Sequence, residues 1–194
     1  MMDANLPRQH EILDFWFGVP GSVEYGQARN VWFRKDDAFD ALVRAQFGGA
    51  VEAAIAGGFG DWTAPRGELA RVILLDQFTR NIYRGSPRAF AGDARALATA
   101  QDAVSRGDDR ELIPVERWFL YMPFQHAESG EAQARSVELC TRLRDDGLAA
   151  PLEWAQRHAE IVRRFGRFPH RNTILGREST PEEIAFLSLP GSGF

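Results

Sequence analysis

An all-α fold is predicted by three observations on this 194-residue chain. Apolar residues recur at a period near 3.6 along most of its length. No segment keeps the alternating period of a strand for long. Helix punctuation, with Asp, Thr or Pro at starts and Gly at ends, falls between the periodic stretches. The prediction is an irregular array of helical hairpins, about six to eight helices, forming one all-helical domain over residues 1–194.

The elements follow in order. Residues 8–17 carry Ile12, Leu13, Phe15, Trp16 and Phe17 in a short helix, ended by Gly18-Val19-Pro20-Gly21. Residues 36–57 place Phe39, Leu42, Val43, Phe47, Val51, Ala54 and Ile55 on one stripe of a long amphipathic helix closed by Gly57-Gly58. Thr63 is expected to cap a helix over residues 65–84, with Pro65 in its first turn. Residues 93–106 form the next helix, with Asp93 as N-cap and Gly107 as its stop. Residues 114–121 are a short aromatic helix that Pro123 is expected to break. Residues 128–147 and 151–165 read as two further helices, the first stopped by Gly147 and the second opened by Pro151. Thr180 and Glu183 form a capping box for a final short helix. The glycine stops at 58, 107 and 147 are spaced loosely like helical hairpins, although no repeat consensus is legible.

Composition narrows the function classes. Hydrophobic residues make up 44% of the chain and aromatics 11%, too much for a disordered chain. A net charge of -4 argues against a surface built for nucleic acid, and no nucleic-acid module is present. Lys35 is the only lysine beside 22 arginines, a ratio that reflects a GC-rich bacterial genome. The first ten residues lack the basic and apolar regions of a leader. No apolar run reaches the roughly 18 residues of a membrane span. With the single cysteine Cys140 on an apolar stripe, the expectation is a cytoplasmic protein with no membrane association. Phosphate-loop, dinucleotide-binding, metalloprotease and nucleophile-elbow motifs are absent. No cofactor and no metal are expected, although His and Glu are ligand types that suit zinc or iron.

Three polar clusters lie in apolar surroundings. In the first, Asp76 and Arg80 are four apart on a helix that is apolar nearly all round, with Gln77, Asn81 and Arg84 in an adjacent row. The second holds His126 and Glu128 after a dense aromatic stretch. The third places His158 on the inward face of its helix with Trp154, Ile161 and Phe165, followed by a turn bearing Arg167, His170 and Arg171. One reading brings the clusters to a common cleft. Asp76, His126, Glu128 and His158 would then be acid–base groups, and Arg80, Asn81, Arg84, Arg167, His170 and Arg171 would bind a small anion, Arg80 and Arg167 foremost. The other reading makes the clusters structural networks in a scaffold that binds a peptide or protein. Enzymatic activity and oligomeric state are not legible.

These segments resemble a known family. Leu75-Asp76-Gln77-Phe78-Thr79-Arg80-Asn81-Ile82-Tyr83-Arg84, Tyr121-Met122-Pro123-Phe124-Gln125-His126-Ala127-Glu128 and the run from Gly166 to Arg177 are similar to the bacterial domain-of-unknown-function family numbered 924. Ile12 to Phe17 and Trp32-Phe33 match as well, so the resemblance spans nearly the whole chain. Ala127 stands where that family often has Ser. The resemblance implies a tetratricopeptide-like, all-helical fold and no particular activity.

Overall fold

The computed structural model describes residues 6–193. Residues 1–5, on which the expected absence of a leader partly rests, lie outside them. Among the described residues there is no strand. The helices are α1 (Gln9–Phe17), α2 (Asp37–Ile55), α3 (Pro65–Val72), α4 (Thr79–Ile82), α5 (Asp93–Arg106), α6 (Pro114–His126), α7 (Gly130–Asp145), α8 (Ala150–Phe165) and α9 (Pro181–Leu187). A π-helical turn, Ile73–Phe78, joins α3 and α4 into one rod, so the described residues form eight helices with that rod counted once. None of them is long and apolar enough to cross a membrane.

The rod α3–α4 is central, as its all-round apolar pattern predicts. Leu69, Val72, Ile73, Leu74, Leu75 and Phe78 are almost wholly buried. Helix α1 packs on α3, α2 packs on the π turn and α4, and α5 packs on α3 and the π turn. Helices α5, α6, α7 and α8 then follow as successive packed neighbours. Aromatic rings fill the main core. Trp16 meets Trp32, Phe78 and Phe119 with ring centroids 5.4–6.0 Å apart, mostly in the edge-to-face arrangement that ring quadrupoles favour. A second small core of Ile161, Val162 and Phe168, with Phe165 and Phe186, seats α9 and the turn after α8.

Local chemistry accounts for the ends. Asp36 caps α2 by accepting from the amides of Ala38 and Phe39, both at 3.0 Å. At α9, Thr180 accepts from the Glu183 amide while Glu183 accepts from the Thr180 amide, the predicted capping box. Gly107 and Gly166 adopt left-handed conformations at the ends of α5 and α8. Three expectations are corrected. The residue before α3 is Ala64, and no side chain caps that helix; Thr63 stands outside it. Asp93 is the first residue inside α5, because its carboxylate is engaged elsewhere and Gly92 takes the cap position. Pro123 does not break α6, which runs on to His126. A proline removes one helical donor, and here the last turn is held from outside: Gln133 donates to the carbonyls of Gln125 at 2.7 Å and Ala127 at 2.8 Å. On α8 the buried stripe runs through Ala155, His158 and Ile161, leaving Trp154 43% exposed.

Gly92 is the tightest glycine in the fold. A Cβ built there would overlap the Leu75 carbonyl oxygen and come within 2.8 Å of its carbon. The bare Cα lets the start of α5 lie directly on the π turn. Gly92→Ala is therefore expected to destabilise the protein by roughly 3 kcal/mol or more in urea unfolding, at the upper end of single substitutions. Gly60→Ala, where an added Cβ meets nothing within 4 Å, is the control expected to stay within about 1 kcal/mol.

Candidate functional site

The π turn places Asp76 at the centre of the molecule. The wider turn releases backbone acceptors that side chains then take up. Thr79 Oγ1 donates to the Leu75 carbonyl at 2.8 Å, and Arg80 donates to the Asp76 carbonyl at 2.7 Å. The Asp76 carboxylate has no exposed surface. His126 Nδ1 lies 2.8 and 3.0 Å from its two oxygens, Arg80 lies 3.1 Å from Oδ1, and Gln77 Nε2 donates to Oδ2 at 2.5 Å. Burial alone would raise its pKa. The Arg80 charge, helped by the hydrogen bonds from His126 and Gln77, outweighs that and holds the carboxyl below the usual carboxylate range.

A chain of alternating charge leads away from Asp76. Arg80 makes a forked pair with Asp93 at the start of α5, at 3.0 and 3.1 Å. Asp93 in turn lies 3.6 Å from an Arg171 terminal nitrogen, an ion pair too long to be a hydrogen bond. Both guanidiniums lie over the Phe90 ring, with Arg80 Cζ 5.7 Å and Arg171 Cζ 4.8 Å from its centre. Arg171 also lies 4.6 Å over the Phe168 ring. Its side chain is 8% exposed, and among the described residues it makes no hydrogen bond, with Nε wholly enclosed and unpaired. Burial lowers its pKa to about 10, with Arg80 adding to the shift, yet it remains a cation at neutral pH.

The histidines gather beside this cation. The rings of His126 and His158 are 6.2 Å apart, His158 and Phe168 5.5 Å, and Phe168 and His170 5.7 Å. His158 Nδ1 bonds the Trp154 carbonyl at 2.8 Å. All three histidines are pushed towards the neutral form, chiefly by burial. His158 falls to about 3 through burial, and His170 falls to about 4, with Arg171 adding to the shift. His126 is lowered by burial against the opposing pull of Asp76. An ionised carboxylate has no proton to give, so His126 Nδ1 carries the hydrogen and Nε2 presents a lone pair.

The other expected site residues are placed apart from this group. Glu128 accepts from the Phe168 amide at 2.7 Å and from Arg177 at 2.6 and 2.9 Å, which ties the turn after α8 to the α6–α7 connection. Asn81 and Arg84 both bind Asp40 of α2, at 2.7 to 3.0 Å. Arg167 makes a two-pronged pair with Glu183 of α9, and that pairing holds Glu183 near a pKa of about 2. Asp93, Phe90 and Arg177 were not singled out as site residues. The acid at a helix start concealed Asp93, while Arg177 closes the third motif and could have been taken from it.

The assembled group is Asp76, Arg80, Asp93, His126, His158, His170 and Arg171. Its two carboxylates and two guanidiniums balance, and its imidazoles are neutral. Such a group can hold an anion on Arg171 and accept a hydrogen bond or a proton at His126 Nε2. Two cavities of about 490 and 540 Å³ lie elsewhere, one between residues 6–10 and 59–64, the other between α5 and α7. Among the described residues no three His, Cys, Asp or Glu side chains form a metal-binding group.

The lowered histidines make stability depend on pH. The unfolded chain takes up protons near pH 6.5, whereas His158 and His170 refuse them until about 3 and about 4. Stability is then complete above pH 6.5 and falls as the pH drops below it, by up to roughly 1.4 kcal/mol per pH unit for each histidine. Urea midpoints measured from pH 7 to 5 should decline accordingly, and His158→Phe should flatten the decline by about one proton. A flat profile in the wild type would contradict this electrostatic picture.

Comparison with known proteins gives a consistent family and no activity. No curated protein matches the chain. The solved structure of a protein of unknown function from Agrobacterium tumefaciens is similar, at 40% identity over 93% of this chain and 96% of that one, with a TM-score of 0.82. The family model described as "Bacterial protein of unknown function (DUF924)" matches residues 12–191, and the chain belongs to that family.

Proposed function

We propose that this protein binds a small anionic ligand at Arg171, within the group built around Asp76, His126 and Arg80. The observation that carries the reading is the state of Arg171: a buried guanidinium, its side chain 8% exposed, with no hydrogen bond among the described residues. A buried donor without an acceptor costs about 1–3 kcal/mol, more for a charged group. A ligand oxyanion removes that penalty by supplying the missing acceptors. Arg80 and Arg167 are less suited to the task, because each is already engaged by carboxylates and a backbone carbonyl. Asn81 and Arg84 serve the α2–α4 contact in this reading, and Glu128 positions the Arg171 turn. A cytoplasmic location belongs to the same proposal and rests on the lone buried thiol Cys140, which burial pushes up to about 12 and so keeps unreactive.

Titration with propionate, acetate and inorganic phosphate, followed by amide chemical shifts, tests the proposal. At least one of these anions should perturb residues around Phe90, Asp93 and Arg171 in the wild type and in Arg84→Gln. Arg171→Gln should lose the response while retaining the fold. An undiminished response in Arg171→Gln, or none in the wild type, would overturn it.

A further inference from the structure

His126 ends α6 with one ring nitrogen committed inside the molecule and the other uncommitted. Nδ1 meets the wholly buried Asp76 carboxylate at 2.8 and 3.0 Å. Gln133 donates to the carbonyls of Gln125 and Ala127, the residues on either side, so the backbone that carries the ring is fixed as well. Nε2 has no hydrogen-bond partner among the described residues and is not one of their wholly enclosed polar atoms. With 16% of the side chain exposed and the Nδ1 edge covered, Nε2 can be reached from outside.

A neutral imidazole with hydrogen on Nδ1 offers its Nε2 lone pair as a nucleophile. The group it suits follows from charge. A ring with a new bond at Nε2 and hydrogen still on Nδ1 is a cation. A phosphoryl group brings its own negative charge to balance that cation, and an acyl group does not. Here the balancing charge is built in, because Asp76 lies against Nδ1 with no solvent to screen it. Arg80, on the same Asp76 oxygen, is engaged by Asp76 and Asp93, so it is not placed to receive a phosphoryl group.

We infer that His126 Nε2 accepts acyl groups from activated esters, with Asp76 as the positioning residue that steadies the acylated ring. The Nε2 lone pair forms a bond to the acyl carbon. The bond from that carbon to the leaving oxygen breaks, and its electron pair departs with the leaving group. Water then adds to the acyl carbon, the carbon–nitrogen bond breaks and its pair returns to Nε2. The protons of that water pass to solvent and to the leaving group, so the net reaction is ester hydrolysis. The inference concerns His126 and stands or falls separately from anion binding at Arg171.

p-Nitrophenyl acetate tests this, through release of its coloured phenolate above the spontaneous rate. The wild type should hydrolyse it, and His10→Asn, at an exposed histidine, should match the wild type. His126→Asn keeps an N–H for Asp76 but lacks Nε2, and should lower the rate by about a hundredfold, the low end of what one positioned group contributes. The pH profile distinguishes reaction at this ring from a loosened fold. The wild-type rate should reach half its plateau below pH 6.5, the ordinary value for histidine, because burial keeps the ring neutral. Should His126→Asn fail to fold, diethyl pyrocarbonate, which acylates imidazoles, gives a second reading in the wild type: peptide mapping should find the label on His126. No hydrolysis by the wild type, an unchanged rate in folded His126→Asn, a midpoint at or above pH 6.5, or labelling that spares His126 would overturn the inference.

Discussion

A fully buried carboxylate sets the terms for the rest of the molecule. Asp76 is inside the central rod with no exposed surface, where an uncompensated ion would cost several kcal/mol. It stays ionised because three donors from two elements converge on it: Arg80 and Gln77 from its own rod and His126 from the end of α6. Each donor constrains something further. Arg80 needs Asp93, which requires the start of α5 to sit on the π turn, which in turn requires Gly92. His126 needs the last turn of α6 to continue past Pro123, which Gln133 supports from α7. The helices are thus registered to one another through a polar centre as well as through the aromatic core.

Local and distant charges play different parts in this arrangement. Pairs such as Arg84–Asp40 and Arg167–Glu183 are closed, with donor and acceptor matched, and they fasten α2 to α4 and α9 to the turn after α8. Arg171 is different because Asp93 has already given both oxygens to Arg80. The last cation of the chain is left with rings beside it and a carboxylate oxygen 3.6 Å from one terminal nitrogen, too far for a hydrogen bond. An incomplete polar network is expensive, and the incompleteness here coincides with three imidazoles held neutral. That combination of an incompletely paired cation and neutral imidazoles is what the proposed anion binding rests on.

Much of this was legible from residue order, and what was not has physical reasons. The amphipathic stripe of α2, the Thr180–Glu183 capping box and the Asp76–Arg80 pair depend on contacts within four residues, where spacing decides geometry. The π turn adds backbone that no side-chain period reveals. Pro123 was expected to end its helix because the support from Gln133 comes from the following element. Asp93 looked like a cap because its partner, Arg80, lies thirteen residues away across a turn. Among the arginines of the motifs, 80, 84, 167 and 171 were equivalent by composition and neighbourhood. Which of them is left without an acceptor is decided by tertiary pairing alone, and only Arg171 is.

The state of the His126 ring is the most direct consequence of the buried Asp76 carboxylate. Nitrogen-15 shifts of that imidazole across pH 5 to 8 report both its charge and its tautomer. A neutral ring with hydrogen on Nδ1 and a bare Nε2, titrating below its ordinary value of 6.5, is the predicted result. An imidazolium at neutral pH, or a neutral ring with hydrogen on Nε2, would contradict it, because neither leaves a lone pair on Nε2 while Nδ1 donates to Asp76.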